Sequence, residues 1–316
     1  MRNTTLDFFK FLAAFLVIFI HVDPIFEGQA FLLVFSRLAV PFFLVITGYY
    51  YPTMVERNKE GVYLKKITKL AVFPAFLYAL VVYKMLADLT TKDLVYWLGL
   101  NVMPFGNHLW YLYAVIYVLM IMKMAKSLMR PTRAMVCSVL LIGVNYVLSF
   151  QENFYLYRNF LFTGMPYFLL GVFLWHKRDR IQMMRMSWGK FLGVFSVLLI
   201  MLMLEYQLYW TLDCCPEREH YLMVYPICSW IFCFAINRPN VNNVFSVLGL
   251  KYCTFIYIYH FLVLIVLERM IQIVPALECF NSIRNTLIFP VVILVITLGV
   301  AYVCKAVKLR MRKMIG

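Results

Sequence analysis

Charged residues are scarce in this chain, and acidic residues are the scarcest. Only 14% of the 316 residues are charged and 64% are hydrophobic, whereas soluble domains carry about 25% charged and roughly 45–50% apolar residues. A water-soluble fold of this length could not hide so much apolar side chain from solvent. The shortage of charge therefore excludes a soluble globular protein and predicts an integral membrane protein.

Metal-binding cysteine patterns are also lacking. The eight cysteines include no C-x-x-C pair and no Cys/His spacing of the kind that zinc requires. The sequence therefore predicts no metal site. Cys214, Cys215 and Cys279 fall in loops that we place outside the membrane, and a disulfide from one of the first two to Cys279 is left open.

Long apolar runs recur along the chain, and each is about long enough to cross a hydrocarbon core of roughly 30 Å as a helix. The runs are continuous rather than alternating, which favours helices over strands. We expect a single all-α membrane domain over residues 1–316 with no appended soluble domain. A shorter run at 93–100 predicts an interfacial or re-entrant piece. The predicted bundle has about ten transmembrane helices, at 6–22, 32–50, 67–86, 108–125, 132–149, 154–175, 189–205, 220–236, 252–267 and 285–304.

Basic residues give the chain a formal net charge of +15. They lie in loops rather than on a basic face of a soluble domain, which argues against a nucleic-acid partner. Of the 30 lysines and arginines, 21 fall in loops on one side of the predicted membrane and 5 on the other. By the positive-inside rule both termini are predicted to be cytoplasmic, which agrees with an even number of helices.

The first predicted helix carries ionisable residues, which are expensive in a membrane and usually face a bundle interior or a cavity. Asp7 and Lys10 lie near its inner end and His21 near its outer end, all on one face. Lys10 and His21 are separated by about 16 Å along the helix axis. The alternative is that Asp7 and Lys10 only snorkel to the interface and that His21 is a polar helix end.

Two further ionisable residues lie within predicted helices. Arg37 is inside the second apolar run, where its permanent charge needs an anionic or dipolar partner unless it snorkels to the interface. His260 follows Tyr257 and Tyr259 near the middle of the ninth predicted helix. A histidine at that depth is a candidate functional residue, and Tyr257 is an additional candidate beside it.

The fourth predicted helix opens with a polar and aromatic group. His108 lies at the outer boundary, at the predicted depth of His21, and Trp110 and Tyr111 follow it. The two aromatic residues are candidates for substrate binding, or they form no more than an aromatic belt at the membrane interface.

Four stretches occur in a recognisable order along the chain: the first-helix stripe ending at His21, the run Ser-Arg-x-Ala-Val-Pro-Phe-Phe…Gly-Tyr from Ser36 to Tyr49, the His-Leu-Trp-Tyr-Leu segment at His108, and the Tyr-x-Tyr-His segment ending at His260. Together they resemble the acyltransferase-3 family of bacterial integral-membrane acyltransferases. The resemblance extends over nearly the whole chain.

This resemblance implies transfer of an acyl group, usually acetyl from acetyl-CoA, to a hydroxyl of a cell-envelope sugar, polysaccharide or lipid-linked glycan. It implies a multi-pass protein of the bacterial inner membrane with acyl-CoA as co-substrate, no bound cofactor, and membrane lipids as surroundings. In the family a basic residue and a later histidine mark the first helix, and here they map to Lys10 and His21. The basic residue is often arginine, so Lys10 is a departure.

On this interpretation Lys10, beside Asp7, binds the CoA phosphates. His21 is the general base on the acceptor hydroxyl or a transient acyl carrier. Arg37, or groups near His108, stabilise the oxyanion or orient the sugar. A transporter or exporter of a polysaccharide or small molecule is the alternative, because buried ionisable residues also mark transport pathways. A structural or receptor-like subunit would give no reason for Asp7, Lys10 and His21 to share one face of the first helix.

Overall fold

A computed structural model of the chain describes residues 2–22, 30–81, 89–103, 106–151, 153–212, 220–277, 279–284 and 286–315. Helices account for nearly all secondary structure in these ranges, and no strand occurs among them. The predicted all-α class is therefore confirmed. The loop cysteines Cys214 and Cys215 lie outside the described residues, while Cys279 is described and exposed.

The helices are numbered in chain order. They are α1 (Thr4–His21), α2 (Ala30–Ser36), α3 (Ala39–Glu56), α4 (Glu60–Val81), α5 (Thr91–Leu100), α6 (Trp110–Met124), α7 (Pro131–Leu148), α8 (Met165–Met183), α9 (Trp188–Thr211), α10 (Val224–Asn237), α11 (Val244–Ile273), α12 (Cys279–Ile283) and α13 (Ile288–Ile315). Short 3₁₀ turns lie at 107–109, 126–129, 154–156 and 275–277, and a π-helical turn precedes α8 at Phe160–Gly164.

Several helices are long and apolar enough to cross a membrane, judged by length and composition. Helices α6 and α10 are apolar but shorter, and α4 and α8 each carry a cluster of charges. Membrane helices are therefore present, while the total of about ten crossings stays a prediction. The six qualifying segments within the described ranges are Thr4–His21, Phe31–Glu56, Pro131–Leu148, Trp188–Thr211, Val244–Ile273 and Ile288–Met311.

The second predicted helix, 32–50, is two helices in the structure. The chain turns at Arg37 and Leu38, whose backbone N–H groups donate to the carbonyls of the residues three positions earlier. Helix α3 then begins at Ala39, which places Pro41 in its first turn, where a backbone N–H has no partner within the helix. Arg37 therefore lies within the apolar segment Phe31–Glu56, as predicted, but in a turn between two helices rather than in one continuous helix.

The short run before the His108 loop is the ten-residue helix α5. Thr90 caps it: its hydroxyl accepts from the Asp93 backbone N–H at 3.3 Å, and its own backbone N–H donates to the Asp93 carboxylate at 2.9 Å. Hydrogen bonds from Thr90, above all from its side chain, lower the pKa of Asp93 below its usual value. At ten residues the helix is too short to span a bilayer.

The chain divides into two compact units. The terminal unit consists of Arg2–Ala39 and Asn240–Gly316, and the central unit consists of Val40–Pro239. The terminal unit contains α1, α2 and α11 to α13. The central unit contains the helices from α3 to α10.

In the terminal unit, α1 and α11 lie side by side and run in the same direction. Close to the start of α1, the Thr5 hydroxyl accepts the backbone N–H of Val241 at 3.1 Å. Slightly further along, a Cβ added to Gly249 would lie 1.8 Å from the Asp7 carbonyl oxygen. The backbones therefore touch, and only glycine fits at position 249. Helix α13 packs against α11 and α1.

In the central unit, α3 and α8 cross with equally close backbones. A Cβ on Gly48 would lie 1.9 Å from the Phe168 carbonyl oxygen, and a Cβ on Gly171 would lie 2.1 Å from the Val45 carbonyl oxygen. Gly48 belongs to the Gly-Tyr pair noted in the sequence. Its place in that motif is explained by this crossing, since any side chain there would separate the two helices.

Candidate functional site

A buried carboxylate lies near the N-terminal end of α1. The Asp7 side chain is only 3% exposed, and it accepts from Arg2 Nε at 2.6 Å and from Lys10 Nζ at 3.2 Å. A buried carboxylate is tolerated when it is paired in this way. The i,i+3 pairing of Asp7 with Lys10 agrees with their predicted common face, and Arg2 is a partner that the sequence analysis did not include.

Two histidines meet at the opposite end of α1. His21 is the last residue of that helix, and its ring centroid lies 5.3 Å from that of His260 on α11, with the ring planes tilted by 41°. The Phe261 ring is also 5.3 Å from the His21 ring. The structure therefore brings together His21 and His260, which the sequence placed at different depths.

The equal depth of the two histidines follows from the true length of α11. The predicted helix 252–267 put His260 near its middle, but α11 begins at Val244 and runs for 30 residues. His260 lies 16 residues after Val244, and His21 lies 17 residues after Thr4, which correspond to axial rises of about 24 and 26 Å. Because α1 and α11 begin at about the same height and run parallel, the two imidazoles lie at about the same height along the helix axes.

The protonation of the His260 ring can be assigned from one contact. His260 is completely buried, and its Nδ1 lies 2.8 Å from the carbonyl oxygen of Ile256, one turn earlier in α11. A carbonyl oxygen can only accept, so Nδ1 carries a hydrogen. In the neutral ring the lone pair is then on Nε2.

The stretch of α1 between its polar ends is apolar. Asp7 and His21 are 14 residues apart, which is about 21 Å along the axis. The buried residues between them are Phe11, Ala13, Ala14, Val17, Ile18 and Phe19. Helix α1 thus carries an ion-paired carboxylate near one end and the His21 imidazole at the other, with buried apolar residues between them.

Two other candidates belong to the terminal unit. Arg37 lies in the turn between α2 and α3, with its backbone N–H donated to the Val34 carbonyl at 3.2 Å. Tyr257 is 4% exposed and lies one turn before His260 on α11. Neither placement assigns a chemical role, so the roles suggested for Arg37 and Tyr257 stay predictions.

His108 lies in the central unit, in the 3₁₀ turn directly before α6. It is 3% exposed, and the Tyr78 ring of α4 packs edge-on against it with a centroid separation of 4.6 Å. No local signal in the sequence points to Tyr78 as a neighbour of His108, because the two residues are thirty positions apart and lie on different elements. The contact makes His108 a packed residue of a helix junction.

Trp110 and Tyr111 follow His108 and are held by contacts of the same unit. Trp110 is 9% exposed, its carbonyl accepts from Asn101 Nδ2 at 3.3 Å, and the Arg158 guanidinium lies 5.9 Å from its ring. The hydroxyls of Tyr111 and Thr47 are 3.3 Å apart. Such burial of Trp110 is unlike a lipid-facing aromatic belt, whose rings lie at the membrane surface.

Glu205 is a further acidic residue of a membrane helix that the sequence analysis passed over. Its carboxylate accepts the backbone N–H groups of Leu222 and Met223, at 2.6 and 2.9 Å, immediately before α10. These contacts satisfy donors that would otherwise have no partner at the start of a helix, where negative charge is also favoured. Glu205 is therefore explained as a structural cap.

No group of three His, Cys, Asp or Glu side chains that could hold a metal ion occurs among the residues that the structure describes. The polar groups of the terminal unit described above are the imidazoles of His21 and His260 and the ion-paired Asp7. An imidazole can accept and return a proton during a reaction, and exposed cations can bind phosphate.

Comparison with known proteins identifies the family. No curated protein and no solved structure gives a significant match to the chain. The acyltransferase-3 family model, described as an acyltransferase domain, matches residues 3–306 of the 316. This range contains both ends of α1, the α11 histidine and the His108 segment. The chain therefore belongs to the acyltransferase-3 family and is a membrane acyltransferase.

Proposed function

We propose that this protein transfers an acyl group, acetyl in the first instance, from acyl-CoA to a hydroxyl of a cell-envelope sugar, polysaccharide or lipid-linked glycan. The observation that carries the proposal is the polarity of α1. Its N-terminal end holds Arg2 and Lys10 around Asp7, and its C-terminal end holds His21 against His260. A charged donor and a hydroxyl acceptor need these two environments.

The N-terminal end of α1, called the donor end below, consists of Arg2, Asp7 and Lys10 and suits the phosphate groups of acyl-CoA. The Lys10 ammonium has three hydrogens and directs one of them to Asp7. Its side chain is 22% exposed and that of Arg2 is 54% exposed. Both cations are thus accessible to a ligand, and the buried carboxylate holds them in place. Phosphate oxygens form strong charge-assisted hydrogen bonds with such groups.

His21 acts as the general base in the proposed step. It removes the proton of the acceptor hydroxyl as the oxygen attacks the thioester carbonyl carbon, which gives a tetrahedral oxyanion. The C–S bond then breaks, and the leaving thiolate takes the proton back from the imidazolium. The products are an ester and the CoA thiol, and His21 is neutral again. Arg37 and the groups around His108 are kept as candidates for oxyanion stabilisation or acceptor binding.

The proposal requires the N-terminal end of α1 to face the cytoplasm, where acyl-CoA is found, in the inner membrane of a bacterium. Both termini should then be cytoplasmic. Reporter fusions after Lys66, Arg130 and Arg180 should read cytoplasmic, while fusions after Gln29 and Glu217 should read external. A well-expressed fusion with the opposite reading would contradict the predicted topology at that point.

Acyl transfer can be tested with the purified protein in lipid nanodiscs. Radiolabelled acetyl-CoA should give labelled envelope glycan, and slow CoA release should occur without acceptor. Lys10→Ala should raise the KM for acetyl-CoA more than the KM for the acceptor, because the lost contact is to the donor. Lys10→Arg should keep most of the activity, because either cation can bind phosphate.

Two outcomes would count against these assignments. If Lys10→Ala raised the KM for acetyl-CoA and the KM for the acceptor equally and also lowered the melting temperature, Lys10 would serve only as the ion-pair partner of Asp7. A different result would be that the wild-type protein moves an unmodified glycan across the membrane of proteoliposomes and forms no acylated product. That result would replace the acyltransferase proposal with the transporter alternative.

A further inference from the structure

We propose that a basic cavity of the central unit binds the phosphate headgroup of an acidic membrane phospholipid. The cavity lies between the loop that joins α8 to α9 and the C-terminal end of α10. Its volume is about 440 Å³, which is a usual size for a small-molecule site. The proposed acyl transfer does not use this part of the chain. The residues that line the cavity are Met184, Arg185, Met186, Ser187, Asn237 and Arg238.

The charge of the cavity favours a phosphate group. Arg185 and Arg238 both line it, and no carboxylate is among the six lining residues. The two arginines are exposed, as is Lys190 in the first turn of α9. A guanidinium has a planar fork of N–H groups that fits two oxygens of one phosphate. The cavity therefore attracts anions and suits phosphate in particular.

The walls of the cavity are held in place by hydrogen bonds between α10 and the loop. Asn237 Nδ2, at the end of α10, donates to the carbonyls of Ile181 and Met184 at 2.7 and 2.5 Å. Arg238 Nε donates to the Met186 carbonyl at 2.8 Å. The loop is thereby tied to α10, so that a ligand meets a site whose backbone is already ordered.

The position of the cavity selects a lipid as the source of the phosphate. The cavity adjoins the start of α9, which is long and apolar enough to cross a membrane. Only 11% of the apolar stretch of α9 is buried within the protein, which leaves most of its surface for acyl chains. Trp188, the first residue of α9, is exposed, as is typical of a tryptophan at the membrane interface. A headgroup in the cavity would therefore continue into acyl chains that lie along α9.

The predicted topology supplies an acidic lipid at this place. The loop between α8 and α9 follows Arg180, at which a reporter fusion should read cytoplasmic. The cytoplasmic leaflet carries acidic phospholipids, and basic pockets between membrane helices on that side bind their headgroups. The cavity has the charge and the location that this kind of binding requires.

The test is native mass spectrometry of the full-length protein, released from detergent micelles and titrated with phosphatidylglycerol. One molecule should bind saturably, and phosphatidylcholine, whose headgroup has no net charge, should not compete with it. Arg185→Gln should raise the Kd for phosphatidylglycerol about 10-fold, because a hydrogen bond between charged groups is lost. Equal binding of the two lipids to the wild-type protein would overturn the proposal.

Two further variants separate the cavity from general attraction between charges. Arg133→Gln is the matched control, since Arg133 is an exposed arginine in the first turn of α7 and does not line the cavity. Its Kd should equal that of the wild type. Met184→Glu keeps both arginines but adds a negative charge to the cavity, so it should weaken binding even if Arg185→Gln does not fold. Equal weakening by Arg133→Gln and a cavity variant would contradict the proposal.

Competition with soluble ligands distinguishes the possible sources of the phosphate. Inorganic phosphate and CoA should not displace phosphatidylglycerol, because neither has acyl chains to contact α9. Displacement by CoA, together with a raised KM for acetyl-CoA in Arg185→Gln, would overturn the lipid assignment and give the cavity to the acyl donor. The lipid titration needs no acyl transfer, so a failure of the proposed function would leave its result unchanged.

Discussion

His21→Ala should abolish most acyl transfer while leaving acyl-CoA binding nearly intact. A positioned general base supplies on the order of 10²–10⁴-fold in rate, and the loss should have that size. It should appear in kcat rather than in the KM for acetyl-CoA, because proton transfer occurs in the transition state and Lys10, which contacts the donor in this proposal, lies about 16 Å from His21 along the helix axis. Turnover and donor affinity should be measured at matched protein amounts in nanodiscs.

A control is needed because His21 also packs against Phe261 and His260. His21→Phe keeps an aromatic ring at the position but has no base, so it should be as inactive as His21→Ala while melting close to the wild type. Near-wild-type acylation by either variant would remove His21 from the mechanism, and His108 and His260 would become the candidates for the base.

Gly249→Ala should destabilise the terminal unit strongly, although the substitution adds only one methyl group. The new Cβ would lie 1.8 Å from the Asp7 carbonyl oxygen and 2.9 Å from its carbon, so α1 or α11 must move. Overpacking of this kind costs about 1–3 kcal/mol, occasionally more. The melting temperature should fall, and turnover should fall further, because the same movement changes the separation of His21 and His260. Thermal unfolding followed by tryptophan fluorescence would measure the first effect.

Gly299→Ala is the matched control, since it lies in α13 of the same unit and a Cβ there meets no atom within 4 Å. Replacing an unhindered helical glycine by alanine stabilises a helix by roughly 0.5–1 kcal/mol. The two substitutions should therefore shift the melting temperature in opposite directions. Equal shifts would show that the contact between α1 and α11 is not the reason for glycine at position 249.

Local features of the site could be predicted from the sequence. The pairing of Asp7 with Lys10 depends only on their spacing within one helix, which periodicity determines. The position of His21 at the end of α1 follows from the polar residues after it. The turn at Arg37 was not predicted because a continuous apolar run does not reveal a turn, although Pro41 marked its neighbourhood.

Non-local features could not be predicted. The contact of Tyr78 with His108 joins α4 to the turn before α6, and that of His21 with His260 joins the first helix to one more than two hundred residues later. No helical period relates residues on different helices. The error in the start of α11, eight residues too late, was enough to move His260 to the wrong depth.

The sequence by itself determined that this protein is a helical membrane protein of the acyltransferase-3 family, because apolar run length and ordered motifs are properties of the chain alone. Only the tertiary structure decided which helices touch and at what height. That choice depends on backbone contact at Gly249 and on the parallel course of α1 and α11, both of which exist only after packing. The imidazole pair is therefore a product of the fold.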